Sequence, residues 1–489
     1  MRTSLCSRVV PVFVALLALA GCAASPCKDR PPVRIQLLLV NDVYQLDAVA
    51  GRGGLGRVAT LVRALRRETS HTLFALGGDT LSPSVLSTLF HGRQMIEAWN
   101  ALGLDAAVFG NHEFDFGPAV LRQRMGESRF PWLGANVLDP ATHRSWGGAQ
   151  TGLVREWSGV RVGVVGVTMP RAALSSNPGP GIVFEPPEAG AARAFAELGT
   201  VDLRVAVTHL ELEQDRVLAR AVSLDVVLGG HDHTPMVETE GRTLIIKAGA
   251  DAINVGQVEY ELGCGAELLG RRHRLIPVDA GIAEAPDVAA LVAGYHAQAN
   301  PRLDRPVTEL RSALDSREIV VRREAAPIGR FIAEAMRRRM GAEVALINAG
   351  AIRSNRVIPA GPLSLRDVVA LLPFGNTVAL LEMDGAALQT SLERSVEALP
   401  RPAGRFLQTA GLDYVLDAGR PAGRRILSVS VRGNPLDPAR PYRVAVPDFL
   451  ARGGDGYSAL AASRTLVSGE EGPGLIEIVV DALEEGTSP

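Results

Sequence analysis

The 489-residue sequence has few cysteines, few aromatic residues and no surplus of positive charge. Of the four cysteines, Cys6 lies in the predicted leader and Cys22 at the predicted lipidation site, and the remaining two do not make a disulfide framework. One bridge between Cys27 and Cys264 is an alternative to two unpaired thiols. The formal net charge of −2 offers no basic surplus for binding a nucleic-acid polymer. With 47% apolar and 21% charged residues, the chain is typical of a folded globular protein, and its length predicts two large domains.

The N-terminal apolar run is short. It covers residues 9–20, whereas a spanning helix needs about 20 apolar residues. The run follows two arginines and ends in Leu-Ala-Gly before Cys22, which resembles the processing site of bacterial lipoproteins. We therefore predict a signal peptide over 1–22, lipidation of Cys22, a tether over 23–32, and export to the bacterial cell envelope, on the periplasmic face or at the outer membrane. A plain secretory signal cleaved near Ala23 is the alternative.

Short apolar runs begin at Val33 and alternate with helical patterns. Such alternation predicts an α/β domain in which buried strands are flanked by helices. Ligands of such domains lie at the carboxyl ends of the strands. The predicted strands are 35–40, 72–76, 106–109, 162–167, 203–207, 225–228 and 244–246, and the clearest helices are 56–69 and 94–102.

The alternating pattern weakens after Pro277. Residues 285–298 are predicted to form a helix, and residues 300–307 a proline-containing connection. A second domain follows, with a helix over 326–340 and strands near 344–347, 378–383 and 443–446. The predicted boundaries are 33–280 for the first domain, 281–310 for a linker and 311–489 for the second domain.

Five polar clusters follow predicted strands of the first domain. Carboxylate, amide and imidazole groups of this kind are the ligands of divalent metal ions, and adjacent glycines allow close backbone approach. One cluster alone is weak evidence, but the ordered set predicts a two-metal site. The clusters are Asn41-Asp42-Val43-Tyr44, Gly77-Gly78-Asp79, Gly110-Asn111-His112-Glu113-Phe114-Asp115, Thr208-His209 and Gly229-Gly230-His231-Asp232-His233.

This order resembles the calcineurin-like metallophosphatases, and the third and fifth clusters are similar to those of the 5′-nucleotidase / UDP-sugar hydrolase branch. The resemblance spans about residues 33–485. It implies a four-layer α/β/β/α sandwich followed by an α/β nucleotide-specificity domain, and two divalent metal ions, with Mn, Zn, Co, Mg and Fe all open. It also implies the ligand positions: Asp79 between the two ions, Asp42 and His233 on the first, and Asn111, His209 and His231 on the second.

The same resemblance implies that His112 and Asp115 form a catalytic dyad beside the metals. A cationic His112 would stabilise negative charge on the phosphate, and Asp115 would orient the ring and keep it protonated. The alternative for Asp115 is a turn or cap residue. Glu113 is expected to be structural.

Tyr44 stands where the family has histidine, so the first metal has an uncertain ligand. A phenolate could bind a strongly Lewis-acidic ion such as Fe(III). The favoured alternative is that Tyr44 only lines the site and leaves the first metal one ligand short.

The C-terminal half resembles the family's substrate-binding segments. The implied roles are base stacking by Phe374 and Phe449, ribose binding by Asp455, a base contact by Asn376 and phosphate binding by Arg353, with Arg322 and Arg323 as weaker candidates. Asn348 opens the Asn-Ala-Gly-Ala-Ile-Arg loop that contains Arg353. Taken singly, an aromatic residue after a strand is more often part of the core.

The predicted function is metal-dependent hydrolysis of phosphomonoesters, with nucleoside 5′-monophosphates as the favoured substrates. One alternative is hydrolysis of 2′,3′-cyclic nucleotides or UDP-sugars. Another is a non-catalytic lipoprotein that binds nucleotides, which only Tyr44 favours. The expected partners are the nucleotide and, through the lipid, a membrane, with no nucleic-acid polymer.

Overall fold

Two six-stranded sheets form the N-terminal part of the protein, and the computed structural model describes residues 31–469 and 472–486. The first sheet has, in spatial order, the strands Leu268–Pro277, Asn254–Leu262, Val33–Val40, Thr72–Leu76, Ala106–Val108 and Trp132–Leu133. The second sheet has the strands Met236–Glu240, Thr243–Lys247, Val226–Gly229, Leu203–His209, Val160–Thr168 and Gly152–Trp157.

The strand Val33–Val40 is apolar on both faces because each face packs against a different layer. Ile35, Leu37 and Leu39 belong to the core between the two sheets. Leu38 and Val40 belong to the core under the helices on the outer side. Side chains alternate across a strand, so a continuous apolar run indicates a sheet covered on both sides. The predicted four-layer arrangement is confirmed.

Helices cover the outer face of each sheet. The N-terminal helices are Leu55–Glu68, Val85–Phe90, Arg93–Leu102, Gly117–Glu127, Ala172–Ser175, Pro187–Leu198, Leu212–Ala221 and Pro286–Leu303. Short strand pairs join Ala48–Val49 to Arg52–Gly53 and Val137–Leu138 to Val183–Phe184. Single 3₁₀ turns are formed by Trp146–Gly148, Ala250–Ala252 and Cys264–Ala266.

The prediction of a connection over 300–307 was wrong at its start, because the helix Pro286–Leu303 continues through Pro301. Ala299 and Leu303 are both fully buried. A proline in the last turn removes one backbone hydrogen bond. Burial of the two apolar side chains offsets that loss, so the helix ends only at Leu303.

The C-terminal domain contains a five-stranded sheet, ordered Leu407–Ala410, Val344–Asn348, Pro441–Pro447, Val378–Asp384 and Arg464–Val467. Its helices are Glu318–Val321, Pro327–Arg339, Leu365–Leu371, Gly385–Val396, Asp448–Ala451, Ser458–Ala461 and Leu475–Glu484, with 3₁₀ turns at Ala349–Ala351 and Gly454–Gly456. Smaller sheets pair Pro306–Leu310 with Gly361–Ser364, Leu314–Asp315 with Val357–Ile358, and Ile426–Val431 with both Leu412–Leu416 and Asn434–Pro435.

Parallel pairing brings the polar clusters to one end of the sandwich. Val33–Val40 pairs in parallel with Thr72–Leu76, which pairs in parallel with Ala106–Val108. In the second sheet, Leu203–His209 pairs in parallel with Val226–Gly229. The loops after these five strands therefore meet at the carboxyl ends, as expected for ligand sites in such sheets.

The predicted signal peptide, Cys22 and Cys27 lie outside the described residues, as does most of the tether. Cys264 is disulfide-bonded, so its unpaired alternative does not hold. Within 31–469 and 472–486, no helix combines the length and the apolar character that crossing a bilayer requires.

Candidate metal centre and substrate cavity

Three of the predicted metal ligands occupy left-handed backbone conformations. Asp42, Asp79 and His231 have φ values of 54°, 59° and 71°. Such conformations are unfavourable for residues with a Cβ and are concentrated at functional sites. They turn each chain sharply after its strand, so that the side chains point toward one another across the two sheets.

The predicted ligands form a compact cluster in which Asp42, Asp79 and His209 are buried and His233 is exposed. Ligand atoms of Asp42, Asp79 and His209 all lie within 4.8 Å of one another. The His209 Nε2 atom is 3.3 Å from Asp79 Oδ2, and His233 Nε2 is 3.5 Å from Asp42 Oδ1. The backbone N–H of His231 donates to Asp42 Oδ2 at 2.9 Å. The ligand positions implied by the sequence resemblance are therefore brought together.

Two atoms of the cluster are buried and lack a hydrogen-bond partner among the residues that the structure describes. They are Asn111 Oδ1 and His209 Nε2. His209 Nδ1 donates to the Gly77 carbonyl at 2.8 Å, which leaves Nε2 without a proton in the neutral ring. Buried polar atoms are rarely left unpaired, and a hydrogen bond from the other ring nitrogen to a backbone carbonyl is the usual support for a metal-binding imidazole. The residues present fit a divalent cation.

The buried carboxylates and imidazoles of the cluster shift one another's pKa values. Burial disfavours a charged His209 ring, but Asp79 outweighs it and raises the pKa of His209 to about 10. Burial would raise the pKa of Asp79, but His209 and His112 outweigh it and lower that pKa. Burial, followed by repulsion from His209, lowers the pKa of His231 to about 4. These shifts favour a protonated His209 beside an ionised Asp79 when no metal is bound.

Tyr44 points into this cluster and is only 7% exposed. Its hydroxyl lies 3.1 Å from His233 Nε2, 3.2 Å from Asp79 Oδ2 and 3.4 Å from Asp42 Oδ1. Burial, then the two carboxylates, raise the pKa of the phenol well above its ordinary value. The backbone N–H of Tyr44 donates to Asp251, a residue that the sequence analysis did not single out.

Glu113 holds the two loops around Asp79. Its carboxylate accepts hydrogen bonds from the backbone N–H groups of Asp79, Thr80, Leu81 and Gly110. Burial, reinforced by repulsion from Asp79, raises the pKa of Glu113 to about 7. The side chain is 1% exposed and supports the loops from behind, in agreement with the structural role that was predicted.

Lys247 is a supporting residue that sequence reasoning missed. Its ammonium group is fully buried and lies 2.8 Å from both Asp215 and Asp232. The one available signal was its rarity, since lysine occurs only at positions 28 and 247. A lysine at the end of an otherwise apolar strand indicates a buried counter-charge.

His112 and Asp115 are hydrogen-bonded as predicted. His112 Nδ1 donates to Asp115 Oδ2 at 2.7 Å, and the backbone N–H of His112 donates to Asp79 Oδ1 at 2.8 Å. Burial lowers the pKa of His112, but Asp115 and Asp79 outweigh that effect and raise it. These contacts favour the protonated ring beside the metal ligands and leave Nε2 for another partner.

A cavity of about 560 Å³ joins the metal side to the C-terminal domain. It is lined by residues of both domains, including most of the predicted substrate-binding residues. From the metal side these are Asn111, His112, Asp115 and His231, and from the C-terminal domain Arg322, Asn348, Arg353, Phe374, Asn376, Phe449 and Asp455. Arg323 is exposed and does not line this cavity. It is the one predicted substrate-binding residue that lies outside the cavity.

Phe374 connects the two halves of the cavity. Its ring stacks on His112 with centroids 5.7 Å apart and an interplanar angle of 19°. The Arg353 guanidinium lies 5.3 Å from the centre of the same ring. Glu318, which the sequence analysis missed, contacts Arg353 at 3.4 Å and Arg322 at 2.7 Å, so one carboxylate holds both arginines at the wall.

The polar end of the cavity is preorganised. Asn348 Nδ2 donates to Asp455 Oδ2 at 2.9 Å, and burial raises the pKa of Asp455. Asn376 Nδ2 donates to Asp448 Oδ1 at 2.9 Å. The Phe449 ring packs so closely on Gly454 that a Cβ there would stand 2.5 Å from it. The glycine is thus required for the position of Phe449.

The α/β sandwich carries the candidate metal ligands and shares one cavity with a second domain that contributes Phe374 and Phe449. This combination defines a two-domain metallophosphoesterase. Residues 35–235 match the calcineurin-like phosphoesterase family, and residues 306–462 match the 5′-nucleotidase C-terminal domain. The chain belongs to the 5′-nucleotidase family of calcineurin-like metallophosphatases.

The relatives agree with this assignment. The chain is 28% identical to the trifunctional nucleotide phosphoesterase protein YfkN of Bacillus subtilis over 87% of its own length, but spans only 32% of that protein. It is also 28% identical to the snake venom 5′-nucleotidase of Gloydius brevicauda, covering 83% of this chain and 77% of the relative. The solved structure of a Thermus thermophilus 5′-nucleotidase precursor has a TM-score of 0.81 at 29% identity, with 94% of this chain and 97% of that chain covered.

Proposed function

We propose that this protein uses two divalent metal ions to hydrolyse nucleoside 5′-monophosphates to a nucleoside and inorganic phosphate. The observation that carries the proposal is the shared cavity, which joins Asn111 and His231 at the metal side to Phe374 and Phe449. A nucleotide in it would have its phosphate at the metal centre and its base beside the aromatic rings. The names of the snake venom and Thermus relatives support the same substrate class.

Each of the two ligand sets draws on loops of both sheets. Asp42 and His233 would hold one ion, and His209, His231 and Asn111 the other, with Asp79 between them. Two ions in such a site supply, when bound, Lewis acidity toward phosphoryl oxygens and a lowered pKa for water. Metal identity is open among Mn, Zn, Co, Mg and Fe.

His112 and Arg353 supply positive charge on the cavity side. Asp115 fixes the His112 ring and keeps its proton, so that Nε2–H can donate to a phosphoryl oxygen as negative charge develops there. Arg353 matches phosphate oxygens with its planar guanidinium. Because the guanidinium lies 5.3 Å from the Phe374 ring, it would stand between the proposed phosphate and base ends of the cavity.

Phe374 and Phe449 would stack on the base, and Asp455 would accept hydrogen bonds from ribose hydroxyls. Stacking on aromatic side chains is worth about 1–3 kcal/mol per base and tolerates different bases. Asn376, fixed by Asp448, would contact the base edge. The polar and aromatic walls together select a nucleoside rather than a bare phosphate.

The test is phosphate release from AMP by the purified protein, with Mn²⁺, Co²⁺, Zn²⁺, Mg²⁺ or Fe added in turn. We expect metal-dependent release that is lost in Asp79→Ala and kept in Asp413→Ala, an exposed aspartate of the C-terminal domain. Release that is the same with a chelator, or the same in Asp79→Ala, would contradict the proposal.

A substrate panel separates the alternatives. Turnover of 2′,3′-cyclic nucleotides or UDP-sugars without turnover of AMP would replace the proposed substrate while keeping the metal chemistry. Tight nucleotide binding without phosphate release under every metal would support a binding lipoprotein instead.

The cellular location is part of the same proposal and rests on the sequence around Cys22. Export and lipidation would place the enzyme in the bacterial envelope, anchored to a membrane, where it would act in nucleotide catabolism. Incorporation of labelled fatty acid that disappears in Cys22→Ala would support the anchor, and a soluble, unlabelled mature protein would favour the plain secretory signal.

A further inference from the structure

The Tyr44 hydroxyl faces three predicted metal donors at once. It lies 3.4 Å from Asp42 Oδ1, 3.2 Å from Asp79 Oδ2 and 3.1 Å from His233 Nε2. The side chain is 7% exposed, so water does not separate it from these atoms. A residue that only lined the site would not need its oxygen at the point where the donors converge.

Hydrogen bonds alone do not account for this contact set. The hydroxyl carries one proton, an ionised carboxylate carries none, and His233 Nε2 carries at most one. A fourth close approach, 3.5 Å between His233 Nε2 and Asp42 Oδ1, adds to the three made by the hydroxyl. With two protons among four contacts, at least two contacts lack a proton of their own, and a cation among these donors would satisfy all of them.

The separations are those of donors that share one ion. Four ligands about 2.0–2.2 Å from a tetrahedral ion stand about 3.3–3.6 Å from one another. Four of the six separations among these donors are 3.1, 3.2, 3.4 and 3.5 Å, which lie within this range or just below it. We infer that Tyr44 is itself a metal ligand, which completes one position together with Asp42, Asp79 and His233. The inference rests on the two-metal form of the proposed function.

This assignment makes the two metal positions chemically different. The Tyr44 position has three oxygen donors and one imidazole, whereas the other has two imidazoles, an amide and the shared carboxylate. Oxygen donors favour harder ions and imidazole favours Zn²⁺ and similar ions. When the metal–oxygen bond forms, the phenolic proton passes to solvent. We therefore expect Fe³⁺ or another hard ion to prefer the Tyr44 position.

The experiment is a visible absorption spectrum of the full protein loaded with Fe³⁺, together with measurement of bound metal. We expect a phenolate-to-iron charge-transfer band that is absent in Tyr44→Phe. Tyr260→Phe is the matched control, because Tyr260 is also buried but donates to a backbone carbonyl far from the metal ligands. Tyr44→Phe should weaken the binding of one of the two ions by at least about 10-fold, since loss of even a residue that supports a ligand costs about 10–100-fold. Tyr44→His should restore that binding without the band.

The assignment is overturned if wild-type protein with two bound Fe³⁺ ions shows no such band. It is equally overturned if Tyr44→Phe binds both ions as tightly as wild type. The wild-type spectrum decides the matter if Tyr44→Phe does not fold. Failure of AMP hydrolysis is a separate outcome. A protein that shows the band but releases no phosphate from AMP would support Tyr44 as a metal ligand and contradict the proposed function.

Discussion

Replacing Lys247 by methionine tests how the metal loops are supported. The ammonium group lies 2.8 Å from Asp215 Oδ2 and from Asp232 Oδ2. It also donates to the carbonyls of Leu210 at 2.6 Å and Gly230 at 2.7 Å. Lys247→Met keeps the length and the apolar part of the side chain but removes all four interactions.

The magnitude follows from burial. Lys247 and Asp215 are both 0% exposed. Removing one partner of a buried ion pair leaves an uncompensated charge and costs about 3–5 kcal/mol. Domains are stable by about 5–15 kcal/mol, so the loss is a large fraction of the total. Since Leu210 and Gly230 adjoin His209 and His231, metal affinity should also fall, by about 10–100-fold.

The loss of stability caused by Lys247→Met should depend on pH in a defined direction. Burial raises the pKa of Asp215 even with Lys247 present, and loss of the lysine raises it further. A carboxyl group with a raised folded-state pKa destabilises the fold above its unfolded pKa, and this effect fades as acid protonates the folded protein. The difference between variant and wild type should therefore shrink as the pH falls.

The assay is denaturant unfolding of the metal-free protein, followed at the first transition, with metal release to a chelator as a second measurement. Arg464→Met is the control, because that side chain is 74% exposed and exposed pairs contribute about 0–1 kcal/mol. Adding Asp215→Asn to Lys247→Met should recover part of the loss. A variant that loses no more than the control, and is not improved by Asp215→Asn, would refute the reasoning.

Three further outcomes are expected. Phe449→Ala should raise KM for AMP by about 5–150-fold, which corresponds to about 1–3 kcal/mol of stacking energy. KM for glycerol phosphate should stay constant, because that substrate has no base. Equal changes in KM for both substrates in steady-state assays would contradict base stacking. Asp115→Asn removes the main contact that raises the pKa of His112 against burial, so the alkaline limb of the kcat/KM profile should move to lower pH, and an unshifted limb would count against a cationic His112. Metal binding near pH 7 should release at least one proton, because His209 has a pKa of about 10 without metal and binds an ion only as the neutral ring. Calorimetry in two buffers of different ionisation enthalpy measures this release, and identical heats would show that His209 was already neutral.

The sequence predicted the positions of the ligand-bearing loops because the signals are local. Each apolar run is short, and a polar group follows it directly. Parallel pairing then brings the carboxyl ends of neighbouring strands together whatever the details of packing. The predicted strand 72–76 has the observed bounds, and others differ by one or two residues at their ends. The helix ending at Leu303 was cut short because Pro301 suggested a break that burial overrides.

The class of fold, the metal-binding residue types and the order of the clusters can therefore be predicted from the amino-acid sequence. The contacts of Tyr44, Lys247 and Glu318 cannot be predicted in this way, because they arise from tertiary packing. Tyr44 and His233 are 189 residues apart in sequence, and Glu318 and Arg353 are 35 apart. Contacts of this kind depend on how sheets and domains pack in three dimensions. Local sequence patterns do not predict them, because the energy of a buried charge or hydrogen-bond donor depends on neighbours that are distant in the chain.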